Sequence, residues 1–564
     1  MAKIPGIKTS VVKIVKIKGI EHLCAYFTAE NLIDIESLKI ELGKTLPNYM
    51  VPTAYLQMEK MPMTLNGKID LKSLPEATIF RSGTTSKAVN KIEEDFCKIF
   101  GSILQIEDVG ADESFFDLGG TSLLVTRVVI MAQKLGYKIN FSDVFINRTP
   151  HELAALQKIE ITSIVDKEIS DYDYSKLAPI LNANTLDNFK NGKRQPLGNI
   201  VLTGATGYLG IHILHEFIEN HAGKVYCLLR GKKDLPAETR LKAQLYYYFD
   251  QNYAQLFGKR IFILEGDITR PDTVDQIKNI PDVSTVINCA ALVKHFETGN
   301  EIENVNVGGV KNLIAVCKAQ NLRLIQVSTM STVHSGIKGE VDENTVPTEK
   351  TLYFRQSLTN KYVRSKFLAE RAILDAIANA GLNAKIMRVG TLSARYSDGE
   401  FQINAGTNSS MGRLKIFAII GCCPFAQMDN LIEFSPIDEA AKTILLLSET
   451  PKECVIFHPI NHHNMAIGNV VRVMKSCGLD IKFVEQEDFQ KAWQVAEEDP
   501  DKAKILTSSI VYRSGNKDSD VITFPKNNLY TMQVLYRLGY SWPLTTWQYV
   551  EKFIVMLQRL VFFN

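Results

Sequence analysis

The chain has 564 residues, 45% of them hydrophobic and 22% charged, with 64 Lys and Arg against 62 Asp and Glu. That length exceeds what one hydrophobic core serves, so about three or four domains are expected, and a formal charge of +2 with both signs spread along the chain gives no electrostatic basis for a nucleic-acid partner. The N-terminus lacks the layout of a signal peptide, no apolar run reaches the ~18 residues of a membrane span, and nine scattered cysteines without a CxxC pair fit unpaired thiols in a reducing cytoplasm, with no metal site expected.

In chain order, Val11–Lys18 alternates with the period of a half-buried strand. A turn at Leu65-Asn66-Gly67-Lys68 and a closing Leu74-Pro75 bound a small α+β domain over residues 1–77. Residues 77–87 are small, polar and aperiodic, which reads as a linker. Helical spacing in Ile92–Ile103 and again in Leu123–Leu135 makes 88–160 a small helical bundle, and 161–195 reads as a second linker packed onto the domain after it. From Asn199 strand-like runs alternate with helical stretches: Ile200–Leu202, Val225–Leu229, Ile261–Leu264, Thr285–Ile287, Leu322–Val327 and Ala384–Arg388. That alternation predicts an α/β doubly wound parallel sheet over about 196–395, within a domain running to residue 564. Beyond 395 the alternation is lost, and a largely helical subdomain on the substrate side is expected. The apolar stretch Phe553–Phe563, interrupted by Gln558 and Arg559, reads as a packed terminal helix.

The strongest local signal is a buried strand running into Gly204-Ala-Thr206-Gly207-Tyr208-Leu209-Gly210 and then directly into a helix. Gly204 permits the tight turn, Gly207 lets the backbone approach a pyrophosphate, and Gly210 lets the helix pack close to the sheet. The helix start offers free N–H groups to phosphates. At the end of the next strand stands Arg230, with Gly231, Lys232 and Lys233 after it, where a site for NAD would place a carboxylate. A guanidinium suits a 2′-phosphate in charge and in fork geometry, so NADPH is the expected cofactor. Asp267 and Ile268 follow the third strand, where such folds hold the adenine. Ala290 and Ala291 follow the fourth, where small residues let the backbone skirt the cofactor.

Tyr362 and Lys366 stand four residues apart at the start of a helical stretch and so share a face. The ammonium is expected to lower the phenol's pKa and make it a proton donor near neutral pH, and it can also reach a nicotinamide ribose. A hydroxyl at the end of the fifth strand would complete the set. Ser328, Thr329, Ser331 and Thr332 all offer one, and each could equally cap the strand end.

These residues carry three family resemblances. The GxxGxxG turn with YxxxK resembles the extended short-chain dehydrogenases, and Thr329 is similar in position to the hydroxyl of its reductase members. Phe115-Phe116-Asp117-Leu118-Gly119-Gly120-Thr121-Ser122 resembles the phosphopantetheine attachment site of carrier proteins, LGGxS, with Thr121 where His or Asp is common. On that resemblance 88–160 is a four-helix carrier, and Ser122, which alone would read as a helix N-cap, bears the 4′-phosphopantetheine arm. Pro62–Asp70, with Leu46–Pro52 upstream, resembles the C-terminal lid of adenylation domains, in which the counterpart of Lys68 contacts the acyl-adenylate. The larger adenylation subdomain is absent, so Lys68 is expected to be idle and the chain to be cut from a longer synthetase.

The order lid, carrier, Rossmann reductase resembles the terminal module of a nonribosomal peptide synthetase. This implies upstream adenylation and condensation domains, a phosphopantetheinyl transferase that loads Ser122, and a carrier-bound aminoacyl or peptidyl thioester as substrate. Hydride from NADPH would give a hemithioacetal, with Tyr362 and Thr329 steadying the oxyanion, and its collapse an aldehyde. Whether a second hydride yields an alcohol stays open. Aminoadipate and carboxylic acid reductases share the layout. A non-redox cyclising release domain would lack the catalytic tyrosine, and a sugar-nucleotide epimerase would leave the carrier motif idle.

Overall fold

The computed structural model describes residues 4–563 apart from 18–19, 44–49, 65–68, 76–85, 159–167, 232–234, 294–299, 339–345, 408–410, 503–505, 507–520 and 523–525, and the positions 5, 136, 138, 140, 191, 335–336, 359 and 500–501. The chain forms two compact units, Met1–Ile169 and Ser170–Asn564. Lys68 and the linker over 77–85 lie outside the described residues.

In the first unit, β1 (Ile7–Ile17) and β2 (Ile20–Ala29) pair antiparallel, α1 (Ile35–Gly43) follows, and β3 (Ala54–Gln57) pairs parallel with β2. The alternation in β1 sorts by face: Val11 and Val15 pack inward, while Val12 and Ile14 are exposed. Lys13 shares the inward face by giving its ammonium to the Leu71 carbonyl at 3.0 Å. Four helices come next, α2 (Lys91–Leu104), α3 (Ser122–Lys134), α4 (Phe141–Ile146) and α5 (Pro150–Lys158). The buried positions of α2 are Glu93, Phe96, Ile99, Phe100, Ile103 and Leu104, the three-and-four spacing of one apolar face. They meet Phe115, Val125, Val128 and Leu153 in one core.

The second unit opens with residues from the stretch read as a linker packed onto the domain after it, and from Ser170 they pack there. The Tyr172 hydroxyl donates to Asp375, and the Tyr174 ring stacks on Tyr353 at 4.7 Å. The Asn184 side chain donates to the Ile456 carbonyl and accepts the Val455 N–H. The Rossmann core then runs β4 (Asn199–Thr203), α6 (Tyr208–Asn220), β5 (Val225–Leu229), α7 (Ala237–Phe249), β6 (Ile261–Glu265), β7 (Val283–Asn288), α8 (Gly309–Gln320), β8 (Arg323–Thr329), α9 (Lys361–Ala380) and β9 (Ala384–Val389). After it come α10 (Gly412–Ile420), α11 (Ile437–Ser448), β10 (Ile456–Phe457), α12 (Ile467–Ser476), α13 (Gln486–Glu498), α14 (Leu529–Arg537) and α15 (Trp547–Arg559).

Seven strands form one parallel sheet in the order β10-β9-β8-β7-β4-β5-β6. The order reverses between β4 and β7, which opens a crevice at their carboxyl ends where doubly wound sheets hold a ligand. All six expected strands are present. The expected break at 395 is not clean, because α11 packs its Ala440, Ala441 and Ile444 into the core around α6, and β10 adds the seventh strand. A separate core around Phe401, Phe417, Phe434, Val470 and Trp493 forms the subdomain. The last helix, Trp547–Arg559, buries Tyr549, Val550, Phe553, Ile554 and Leu557 there, so the apolar stretch from Phe553 is packed, and the helix itself begins earlier. Among the described residues no helix is long and apolar enough to cross a membrane, and all nine cysteines are free thiols.

Candidate active site

The turn after β4 is shaped as its glycines require. Gly204 has φ +70°, and a Cβ there would lie 2.6 Å from the Ala290 nitrogen and 2.7 Å from the Cys289 carbonyl carbon, so the turn lies directly on the loop after β7. A Cβ on Gly210 would fall 2.1 Å from the Gly204 carbonyl oxygen, so only glycine lets α6 start this close to the strand. Helix α6 begins after Gly207 with no side chain capping its first turn, which leaves amide donors facing the crevice. Thr206 offers its carbonyl to the Gln244 amide at 3.0 Å.

Two of the expected cofactor residues, Tyr208 and Leu209, have their side chains packed into the protein. The Tyr208 ring turns away from the crevice into a box with His212, Tyr248 and Phe401, and its hydroxyl donates to the Ser393 carbonyl at 3.0 Å. Leu209 is buried in the sheet's core. Asp267 accepts the Thr269 N–H and hydroxyl at 2.9 and 2.8 Å, a local turn at the end of β6, and Ile268 packs under Gly309 of α8.

Arg230 is exposed at the end of β5. Its carbonyl accepts from Arg240 of α7 at 2.9 Å, while the other terminal nitrogen of Arg240, Nη1, is buried with no partner. One turn on, the Gln244 Oε1 is likewise buried and unpartnered. The orphaned Arg240 donor fits a phosphate, while the orphaned Gln244 oxygen can only accept and so fits a donor such as a ribose hydroxyl. Arg240 escaped the sequence reading because only the α7 turn, ten residues later, brings it back to Arg230.

At the other end of the crevice, Asn360 caps α9 by accepting the Val363 N–H, which sets Tyr362 and Lys366 in its first turns. The Lys366 ammonium is buried and donates to the Val327 carbonyl at 3.0 Å, and it lies 6.0 Å from the centre of the Tyr362 ring. Burial lowers the lysine to about 8, an effect that Cys289 and Glu370 oppose. The Tyr362 phenol departs from expectation. Burial pushes it up to about 12, through desolvation of the phenolate.

The four candidate hydroxyls separate by what they touch. Ser328 donates to the buried Glu370 carboxylate, and Thr332 donates to the Thr329 carbonyl and to Glu370. Thr329 is part-exposed at the strand end, where its Oγ1 accepts the Ser331 N–H at 3.2 Å, and Ser331 is exposed. Asn306 is a further member that pattern reading missed. It lies in a π-helical turn, Asn304–Gly308, and its side chain holds both backbone groups of Leu292 and donates to Ser365, between Tyr362 and Lys366. Its signal is the extra residue that such a turn inserts, a frequent mark of functional sites.

In the first unit Ser122 opens α3. The preceding Thr121 provides the N-cap, its Oγ1 accepting the Leu124 N–H at 3.4 Å and its carbonyl the Val125 N–H at 3.1 Å.

Residues 202–444 match the family model described as male sterility protein, an NAD-binding family, and residues 94–156 match the phosphopantetheine attachment site. A solved thiolation-reductase di-domain from an archaeal non-ribosomal peptide synthetase is 37% identical with a TM-score of 0.74, and the match covers 85% of this chain and 100% of that one. The chain belongs to this family of thiolation–reductase di-domains. A linear gramicidin synthase of Brevibacillus parabrevis is 26% identical over 540 residues, covering 92% of this chain and 10% of that protein. L-2-aminoadipate reductase of Schizosaccharomyces pombe is 24% identical over 508 residues, covering 82% and 34%. The chain thus spans from a tenth to a third of the length of these relatives. The thiolation domain takes phosphopantetheine, and the reductase, of the extended short-chain dehydrogenase type, takes a nicotinamide cofactor.

Proposed function

We propose that this chain releases a carrier-bound aminoacyl or peptidyl thioester by NADPH-dependent reduction to an aldehyde. The observation that carries the reading is that the Gly204 cradle lies against the Cys289–Ala290 backbone after β7, while Lys366, which shares the first turns of α9 with Tyr362, donates to the Val327 carbonyl of the adjacent β8. NADPH, when bound, supplies the hydride. Ser122 is the residue that a phosphopantetheinyl transferase would load with the thioester-bearing arm, and tethering sets a local substrate concentration on the order of millimolar. Thr329 and Tyr362 donate hydrogen bonds to the carbonyl oxygen as it gains charge, and Tyr362 supplies the proton. The carbon–sulfur bond then breaks and the sulfur leaves as a thiol. The chain would act in the cytoplasm with adenylation and condensation domains upstream in a longer synthetase.

Arg230 and Arg240 support NADPH over NADH, since a guanidinium nitrogen buried without a partner needs an anion. Arg240→Leu is expected to raise the KM for NADPH ~10- to 100-fold, the worth of a charge-assisted hydrogen bond, with little change for NADH. Steady-state rates with the two cofactors check this.

The test of the function loads the carrier in vitro with a model aminoacyl-phosphopantetheine and follows NADPH oxidation together with product mass. Oxidation with release of aldehyde is expected, or of alcohol if two NADPH are used per product, and none with Ser122→Ala. A loaded carrier that consumes no NADPH across several acyl groups would overturn the reading. A cyclised product formed without NADPH would replace it with non-redox release.

A further inference from the structure

A line of buried polar side chains crosses the carboxyl ends of three adjacent strands, directly beneath the crevice. Thr203 ends β4, Asn288 ends β7 and Gln326 lies near the end of β8, and their exposures are 0%, 0% and 1%. The Thr203 hydroxyl donates to Asn288 Oδ1, Asn288 Nδ2 donates to Gln326 Oε1 at 2.8 Å, and Gln326 Nε2 donates to the Val327 carbonyl at 2.7 Å. That same carbonyl receives the Lys366 ammonium at 3.0 Å.

The direction of the line is fixed from both ends. The Ala290 N–H, at 3.2 Å, requires the oxygen of Asn288 on its side, so the Asn288 nitrogen faces Gln326. At the far end a carbonyl can only accept, so Gln326 must turn its nitrogen to Val327. Neither amide can flip without setting donor against donor. Ala290 belongs to the loop on which Gly204 rests, so the line runs from the dinucleotide cradle to the lysine.

An exchange of the Lys366 ammonium from the Val327 carbonyl to a cofactor hydroxyl would strip that carbonyl of one donor. A buried carbonyl stripped of a donor costs free energy, but Gln326 stays behind as a donor to that carbonyl. We infer that Thr203, Asn288 and Gln326 are positioning residues that set Lys366 for the nicotinamide cofactor, Gln326 keeping the Val327 carbonyl paired so that the ammonium is free to exchange partners. Titratable and charged groups around the lysine are Tyr362 and Glu370 of its own helix, Cys289 from the loop after β7, and Arg388 of β9, which Glu370 holds. None of them touches Gln326 in the bonds described, which leaves the amide line as a separate influence on Lys366.

The inference rests on the proposed nicotinamide chemistry, and its test reads binding rather than turnover. NADPH is titrated against the whole chain by fluorescence, as a function of pH, for the natural protein and for Gln326→Met, Thr203→Val and Thr203→Ser. Gln326→Met keeps the volume and removes the donor, so the Val327 carbonyl should hold the ammonium more tightly. NADPH affinity is expected to fall ~5- to 20-fold, the net worth of one or two buried hydrogen bonds, and the alkaline midpoint of binding to move upward. Thr203→Ser, which keeps the hydroxyl, should bind as the natural protein does, and Thr203→Val should bind more weakly than Thr203→Ser. Unchanged affinity and an unchanged midpoint in Gln326→Met would overturn the inference. If Gln326→Met does not fold, equal affinity of the two Thr203 variants would overturn it. Failure of the natural protein to bind either NADPH or NADH would overturn the proposed function and this inference with it.

Discussion

Tyr362→Phe is expected to lower kcat by roughly 10²- to 10⁴-fold, the usual yield of a positioned general acid, while NADPH binds with near-normal affinity. The substitution keeps the ring and removes only the proton that the substrate oxygen needs. The pH profile should identify which group limits the natural enzyme. Burial places the phenol at about 12, so it is protonated, and able to act as an acid, throughout the neutral and mildly alkaline range. Lys366 has its pKa lowered to about 8, so its charge is present below that value and lost as the pH rises through it. The alkaline limb of kcat is therefore expected near 8, with the lysine as its source. Single-turnover NADPH oxidation between pH 6 and 10 measures both effects. A limb above 9 would count against Lys366, and a Tyr362→Phe rate within tenfold of the natural one would count against Tyr362 as the acid.

How far sequence reading could reach depends on the range of each signal. Most of the six strands were legible because they are short, largely apolar runs set in an alternation with helical stretches. The seventh, Ile456–Phe457, has two residues and no period, and it becomes a strand only by lying beside β9. Helix α11 was assigned to the subdomain because it comes after the loss of alternation, although its small residues Ala440 and Ala441 fit against α6. In the site, the glycine turn, Tyr362 and Lys366 are local motifs and were found. Arg240, Asn306, Asn288 and Gln326 act through partners on other elements, which a linear pattern does not encode. Strand β9 gives the sharpest case: Ala384–Val389 reads as an interior strand, yet both of its cations, Lys385 and Arg388, are fully buried. Lys385 survives there by donating to the Pro451 and Cys454 carbonyls at 2.7 and 2.8 Å.

Arg388 is held differently, and its loss of balance should produce the largest stability effect in the reductase. Its guanidinium and the Glu370 carboxylate are both wholly buried, joined at 2.7 Å through Nη2 and at 3.1 and 3.2 Å through Nε. Nη1 donates to the Thr351 carbonyl at 2.9 Å and lies 3.3 Å from His458 Nε2. Burial and the arginine together lower His458 to about 3, so the ring is neutral and that nitrogen accepts. Glu370 also receives the Ser328 and Thr332 hydroxyls. Glu370→Gln would leave a guanidinium in the core without its anion, at a cost of about 3–5 kcal/mol. Glu370→Leu with Arg388→Met removes both charges and should recover part of that loss, though not all, because the Ser328 hydroxyl and the Thr351 carbonyl then lose their partners. The three tryptophans, Trp493, Trp542 and Trp547, all lie in the second unit, so the urea midpoint of their fluorescence reports the reductase alone. A Glu370→Gln midpoint equal to that of the natural protein, or a double variant no more stable than the single one, would refute this account. Activity should fall along with stability, since Ser328 immediately precedes Thr329 and Glu370 sits one helical turn beyond Lys366.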